Sequence, residues 1–158
     1  MCVLELVSAK LAAHAACLQR GSRAAGALSP SDLAAMMSGL GRGPTSLAYA
    51  KLAGDDAAAR TVYAILHVLA SDWARLEGWT VPRGSEQVGR LARMVRDDLI
   101  LPRPMLSERA SAEKLGISRR QWVQVWRDRH YRLLAVGLEW ECELRRKLSR
   151  EVYGGREQ

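Results

Sequence analysis

Apolar positions recur at three- and four-residue steps along most of the chain. No stretch sustains the two-residue alternation of β-branched and aromatic side chains that a half-buried strand needs. The pattern predicts an all-α protein, a compact multi-helix domain divided by Gly and Pro. MCVLELVSAKLAAHAACLQR reads as a first helix, and GSRAAGAL as the loop after it. Ser29-Pro30-Ser31-Asp32 offers an N-cap, a proline at the first helical position and an acid at the third, so a short helix begins there and ends near Gly39. Pro44 opens another short helix, closed by Gly54. Asp55 and Asp56 suit the positive end of a helix dipole, and Val62, Ile65, Leu66, Leu69, Trp73 and Leu76 then share one face of a helix that stops at Gly78. From Ser85 a further helix turns Val88, Leu91, Ala92, Val95 and Leu99 inward and Arg90, Arg93 and Arg96 outward. Pro102 and Pro104 break that helix and mark the one plausible boundary, between an N-terminal helical region (1–101) and a second unit (102–158), with a single compact domain as the other arrangement.

The second unit carries the most specific pattern. In SERASAEKLGISRRQWVQVWRDRHYRLL, Ser107 caps a short helix, Gly116 supplies a turn and Ser118 caps the next helix. Ala112 is the small residue that a close helix crossing needs, Leu115 and Ile117 flank the glycine, Trp122 and Val125 would form the inner face of the second helix, and Trp126, four after Trp122, is expected in the core with it rather than as a base-stacking platform. The spacing fits a helix-turn-helix. Its second helix would turn Ser118, Arg119, Arg120, Gln124 and Arg127 outward, at the end that enters a major groove. Arg pairs with guanine O6 and N7, Gln with adenine N6 and N7, and backbone N–H groups with phosphate. The competing structural reading is a helical hairpin with a solvated Arg face. A long C-terminal helix follows to about Leu148, with Leu133, Val136, Trp140, Leu144 and Leu148 as its stripe and Glu139, Glu141, Glu143, Arg145, Arg146 and Lys147 covering the rest. That stripe packs on the N-terminal half or on a second copy; intramolecular packing is slightly favoured, and monomer or dimer stays open.

Charge sharpens this picture. The formal net charge is +7, but a GC-rich genome inflates Arg, so position matters more than content. Residues 81–135 hold 12 basic and 6 acidic side chains, against 7 and 6 before them and 5 and 5 after them. The excess therefore falls on the Arg90/Arg93/Arg96 helix and the Ser118–Arg127 helix, and Arg90, Arg93, Arg96, Arg103, Arg109 and Lys114 are candidate phosphate contacts. With 158 residues, 48% of them hydrophobic, the chain is long and apolar enough to bury a core, and no run reaches the length of a membrane span. Cys2, Cys17 and Cys142 form no CxxC, which suits a reducing cytoplasm. His14 and Cys17 are two ligand-type side chains on one helix face, too few for zinc without help from His67, His130 or Cys142; a packed helix is favoured over a metal site, and no cofactor is expected.

The run AEKLGISRRQWVQVWRDRHYRLL, with a basic middle and a helical N-terminal region before it, resembles the small late-gene antitermination proteins of lambdoid phages, the Q-type proteins. Over Ala112 to Leu134 it is also similar to the promoter-reading end of bacterial sigma factors, a sigma region 4-like helix-turn-helix. The resemblance implies binding to a double-stranded DNA element beside a late promoter. It also implies loading onto a paused RNA polymerase holoenzyme, through its β subunit and sigma factor, and terminator read-through afterwards. Some members of that family carry a Cys-rich zinc site; this chain lacks CxxC, so no metal is carried over. Other functions compete. A conventional dimeric repressor or activator would use the same recognition helix with the C-terminal helix as its dimer interface, and an inhibitor that blocks a host protein is a further option. Catalysis is disfavoured: Gly39-Leu40-Gly41-Arg42-Gly43 has no strand before it and no Lys-Ser/Thr after it. The acidic pairs Asp55-Asp56 and Asp97-Asp98 are neighbours in sequence and so splay apart on a helix.

Overall fold

The computed structural model describes residues 29–79, 85–101 and 104–153, together with Ala9. The expected first helix, His14, Cys17, the link at 80–84, Arg103 and the tail after Tyr153 lie outside the described residues. Every regular element among those described is helical. The order is α1 (Pro30–Met36), α2 (Arg42–Leu52), α3 (Asp56–Leu76), α4 (Ser85–Ile100), α5 (Glu108–Leu115), α6 (Arg119–Gln121), a π turn (Trp122–Trp126) and α7 (Arg127–Tyr153).

Local chemistry sets these limits. Ser29 Oγ accepts the Asp32 N–H at 3.1 Å and the Asp32 carboxylate accepts the Ser29 N–H at 2.7 Å, a reciprocal cap at the start of α1. α2 begins at Arg42, two residues before the proline expected to open it. Gly41 is the N-cap, and Pro44 lies in the first turn, where its missing N–H has no partner to lose. Asp55 Oδ1 accepts the N–H groups of Ala57 and Ala58 at 2.8 and 3.2 Å and so starts α3. Val62, Leu66 and Ala70 are its buried ridge, with Ile65, Leu69 and Trp73 half-buried beside it. Leu76 departs from the expected face and is 72% exposed. The chain turns back immediately after it, and Trp79, whose N–H bonds the Ala74 carbonyl, takes the place against the core.

α3 and α4 form the most extensive helix pair, and the expected inner face of α4 is fully buried. Val88, Leu91, Val95 and Leu99 share one core cluster with Leu47 and Leu66 on one side and with Leu115, Trp122 and Leu133 on the other, so residues from both sides of the Pro102–Pro104 break pack together. Each such Leu contributes about 1.5–3 kcal/mol by leaving water. A second cluster at the far end of the molecule packs Leu144 and Leu148 of α7 against Leu33, Met37, Ala48 and Leu52 of α1 and α2. The C-terminal stripe is thus buried within the chain. Close approach makes this possible at two glycines. A Cβ on Gly43 would lie 2.6 Å from the Trp140 ring, and one on Gly137 would collide with Leu99. Glu141, expected on the outer face of α7, is buried instead, because Lys51 of α2 reaches it at 3.1 Å and Arg145 binds its other oxygen. Burial pushes this carboxyl up, but the hydrogen bonds from Arg145 and Lys51 outweigh that and hold it below the usual carboxylate range.

Candidate nucleic-acid interface

The surface is built on the α5–α6 hairpin. Ser107 Oγ accepts the Ala110 N–H at 3.3 Å and starts α5. Gly116 ends it at φ 71°, the left-handed conformation in which L side chains are strained, with Gly116 N–H bonded to the Glu113 carbonyl and Ile117 N–H to that of Ala112. Ser118 then starts the next helix with a reciprocal cap: its Oγ accepts the Gln121 N–H at 3.2 Å, and Gln121 Oε1 accepts the Ser118 N–H at 3.0 Å. Three local rules thus fix the hairpin: a Ser cap, a left-handed Gly and a second Ser cap.

Ala112, Leu115, Trp122 and Trp126 are buried as the sequence implies, but Val125, expected on the inner face of the second helix, is not. Val125 is 42% exposed. A π turn spans Trp122–Trp126, with the Arg127 N–H bonded back five residues to Trp122. Its wider turn carries the third residue on, Val125, further from the Trp122 face, while the fourth, Trp126, shares that face as it does in an ordinary helix.

The two indoles anchor the hairpin to the body. Trp126 meets Trp79 edge-on, with ring centroids 6.0 Å apart, and the Arg129 guanidinium lies 4.1 Å from the Trp79 centroid and 4.8 Å from that of Trp126. Burial pulls the Arg129 pKa down, opposed by the charge of Glu77. Arg132 donates to both Glu77 oxygens at 2.9 and 3.1 Å and covers the Trp73 ring, and Trp79 Nε1 donates to Glu77 at 2.8 Å. These hydrogen bonds, that of Arg132 first, hold the Glu77 carboxyl below its ordinary range, and the same bond raises Arg132. Beneath the hairpin, Asp98 and His130 are both buried, with Oδ2 and Nε2 2.9 Å apart.

Ser118, Arg119, Arg120 and Gln124 are exposed along the start of the second helix, and Arg127 is partly exposed. Their states differ. Arg119 Nε and Nη2 donate to Glu108 Oε2 at 3.2 and 2.9 Å, and Arg127 Nη1 donates to Glu108 Oε1 at 3.5 Å. Arg120 and Gln124 have no hydrogen-bonding or ionic partner among the described residues. Glu108, Arg119, Arg120, Val123 and Gln124 line one shallow groove. Arg90 and Arg93 of α4 and Lys114 of α5 line a neighbouring groove, with Met94 and Asp97 also on its wall. Arg90, bound to Glu86 at 2.5 Å, reaches over the hairpin turn so closely that a Cβ on Gly116 would strike it. Arg96 points elsewhere: it is bound by Asp97 and lines a separate groove with Asp56 and Arg60. Arg109 is exposed on α5.

Glu108 is the residue of this candidate surface that sequence reasoning overlooked. An acid just after a Ser cap is ordinary in a helix start, and only the hairpin brings it to Arg119 and Arg127. Asp97 and Asp98 go to different partners, Arg96 and His130, as adjacent helix positions must. Gly39 to Gly43 form a turn and the first residues of α2. His67 stacks on Tyr63 and Cys142 is exposed; no group of three or more metal-ligating side chains occurs among the described residues. No helix among them is long and apolar enough to cross a membrane. No protein-family model, curated protein or solved structure matches this chain.

Proposed function

We propose that this protein binds duplex DNA by laying the helix that starts at Arg119 in the major groove, as a helix-turn-helix of the sigma region 4 type, and that it is a transcription antitermination factor. The observation that carries DNA binding is the hairpin itself: two capped helices joined by a left-handed glycine leave Arg120 and Gln124 outward and unpartnered among the described residues. Those side chains suit guanine and adenine edges in the major groove. Arg93 and Lys114 in the adjoining groove, with Arg90 at its edge, suit backbone phosphates.

The transcriptional role rests on the resemblance of Ala112 to Leu134 to Q-type proteins. On this reading the protein binds beside a late promoter in the bacterial host cytoplasm, loads onto the RNA polymerase holoenzyme through its β subunit and sigma factor, and permits terminator read-through. A conventional dimeric repressor has less support, because the α7 stripe it would use as an interface is covered by α1, α2 and α4.

A purified transcription reaction, with a terminator downstream of a promoter from the surrounding genome, tests the role. Read-through that rises with added protein, and only when the promoter-proximal DNA is present, is the expected result. Read-through that stays at baseline with saturating protein contradicts antitermination.

A further inference from the structure

Of the three arginines on the proposed recognition helix, two are already occupied. Glu108 stands at the first position of α5 and meets Arg119 with one oxygen at 2.9 Å and Arg127 with the other at 3.5 Å, so one carboxylate spans the hairpin and offsets part of the charge at the two ends of the helix face, with Asp128 3.9 Å from Arg127. Arg120, between them, is left uncompensated. We infer that Glu108 is the counter-charge of this surface: it holds Arg119 and Arg127 until a DNA phosphate displaces it, and so suppresses binding to arbitrary duplex while leaving sequence reading to Arg120 and Gln124. This rests on the DNA-binding reading above.

Three physical points carry it. First, carboxylate and phosphate oxygens satisfy the same guanidinium fork, so the ligand that replaces Glu108 is an anion of the backbone rather than a base edge. Second, the groups are open to solvent, with side-chain exposures of 38% for Glu108, 71% for Arg119 and 39% for Arg127, so a phosphate reaches them without unfolding anything. An ion pair this exposed is weak, and the exchange is easy. Third, a displaced Glu108 stays beside the DNA as a like charge. Every phosphate contact made by Arg119 or Arg127 is therefore offset, whatever the sequence, while hydrogen bonds from Arg120 and Gln124 to bases are not. The sequence-independent part of the affinity is lowered in this way on every duplex.

The test uses the full chain and a short duplex of mixed sequence, titrated with salt from roughly 50 to 200 mM. Glu113→Gln is the control, because Glu113 lies exposed on the same helix with no ion pair among the described residues and removes the same formal charge. Glu108→Gln is expected to bind roughly two- to five-fold tighter than wild type at low salt. Its salt slope should steepen by up to about 0.9, because one negative charge no longer offsets the Arg119 and Arg127 contacts, and Glu113→Gln should leave the slope unchanged. Adding Arg119→Ala to Glu108→Gln should remove most of the gain. Equal slopes for the two Gln variants, or weaker binding by Glu108→Gln, would overturn the role of Glu108 while leaving DNA binding intact. Wild type that fails to bind the duplex even at low salt would overturn the DNA-binding reading and this inference together.

Discussion

Single residues decide whether the hairpin holds its shape, and Gly116 carries the heaviest constraint. At φ 71° any side chain is strained, and the Arg90 guanidinium already fills the space a Cβ would take. Gly116→Ala should therefore cost at least the 1–2 kcal/mol, roughly, of a left-handed L residue, read as a lower urea midpoint with an unchanged slope. An unchanged midpoint would mean that the turn does not use this conformation. Glu141 makes a different kind of claim. Its carboxyl is held down in the folded state, so the stability it contributes is present above the ordinary carboxylate pKa and is lost as pH falls through the lowered folded value. Glu141→Gln should lose about 1 kcal/mol at neutral pH, discounted from a buried pair because Lys51 and Arg145 remain partly in solvent. It should also flatten the acid side of the stability profile. A variant as acid-sensitive as wild type would remove Glu141 from that role. Sequence reading found Gly116 because positive φ is a property of the residue type. It misplaced Glu141 on the surface because burial of a carboxylate depends on Lys51, ninety positions earlier.

At the scale of elements, caps, breakers and the buried pair Trp122 and Trp126 were legible, and the exposure of Val125 was not. Ser29, Asp55, Ser107 and Ser118 each start a helix by a contact within three residues, which a sequence displays directly. The π turn goes instead with Trp126 seated against Trp79 and Trp122 beside His130, and no local pattern announces it. Its consequence is testable. Trp122→Ala, at a site only 4% exposed, should cost about 3–5 kcal/mol, whereas Val125→Ser, at a site 42% exposed, should fall within about 0.5 kcal/mol of wild type. Comparable losses at both positions would place Val125 in the core and contradict this packing.

For the molecule as a whole, the partition of charge along the sequence located the basic third of the chain but not its surface geometry. Arg90, Arg93 and Lys114 come together beside the hairpin, while Arg96 turns to another groove and Glu108 compensates Arg119 and Arg127. The basic excess is thereby reduced to a smaller set of cations free to meet phosphate. Arg93→Ala and Lys114→Ala should each lower the salt slope of duplex binding by about 0.9 with little effect on sequence preference, as backbone contacts do. Arg96→Ala should leave that slope near wild type. Reading a base is a separate property, which the proposed function assigns to Arg120. Binding of the full chain to duplexes tiled across its own genomic surroundings, compared between wild type and Arg120→Ala at fixed salt, isolates that property. A preferred duplex bound by wild type and weakened by about 1–3 kcal/mol in Arg120→Ala, with the urea midpoint unchanged, is the predicted result. No preferred duplex, or one bound equally by both proteins, would contradict recognition of DNA by this helix.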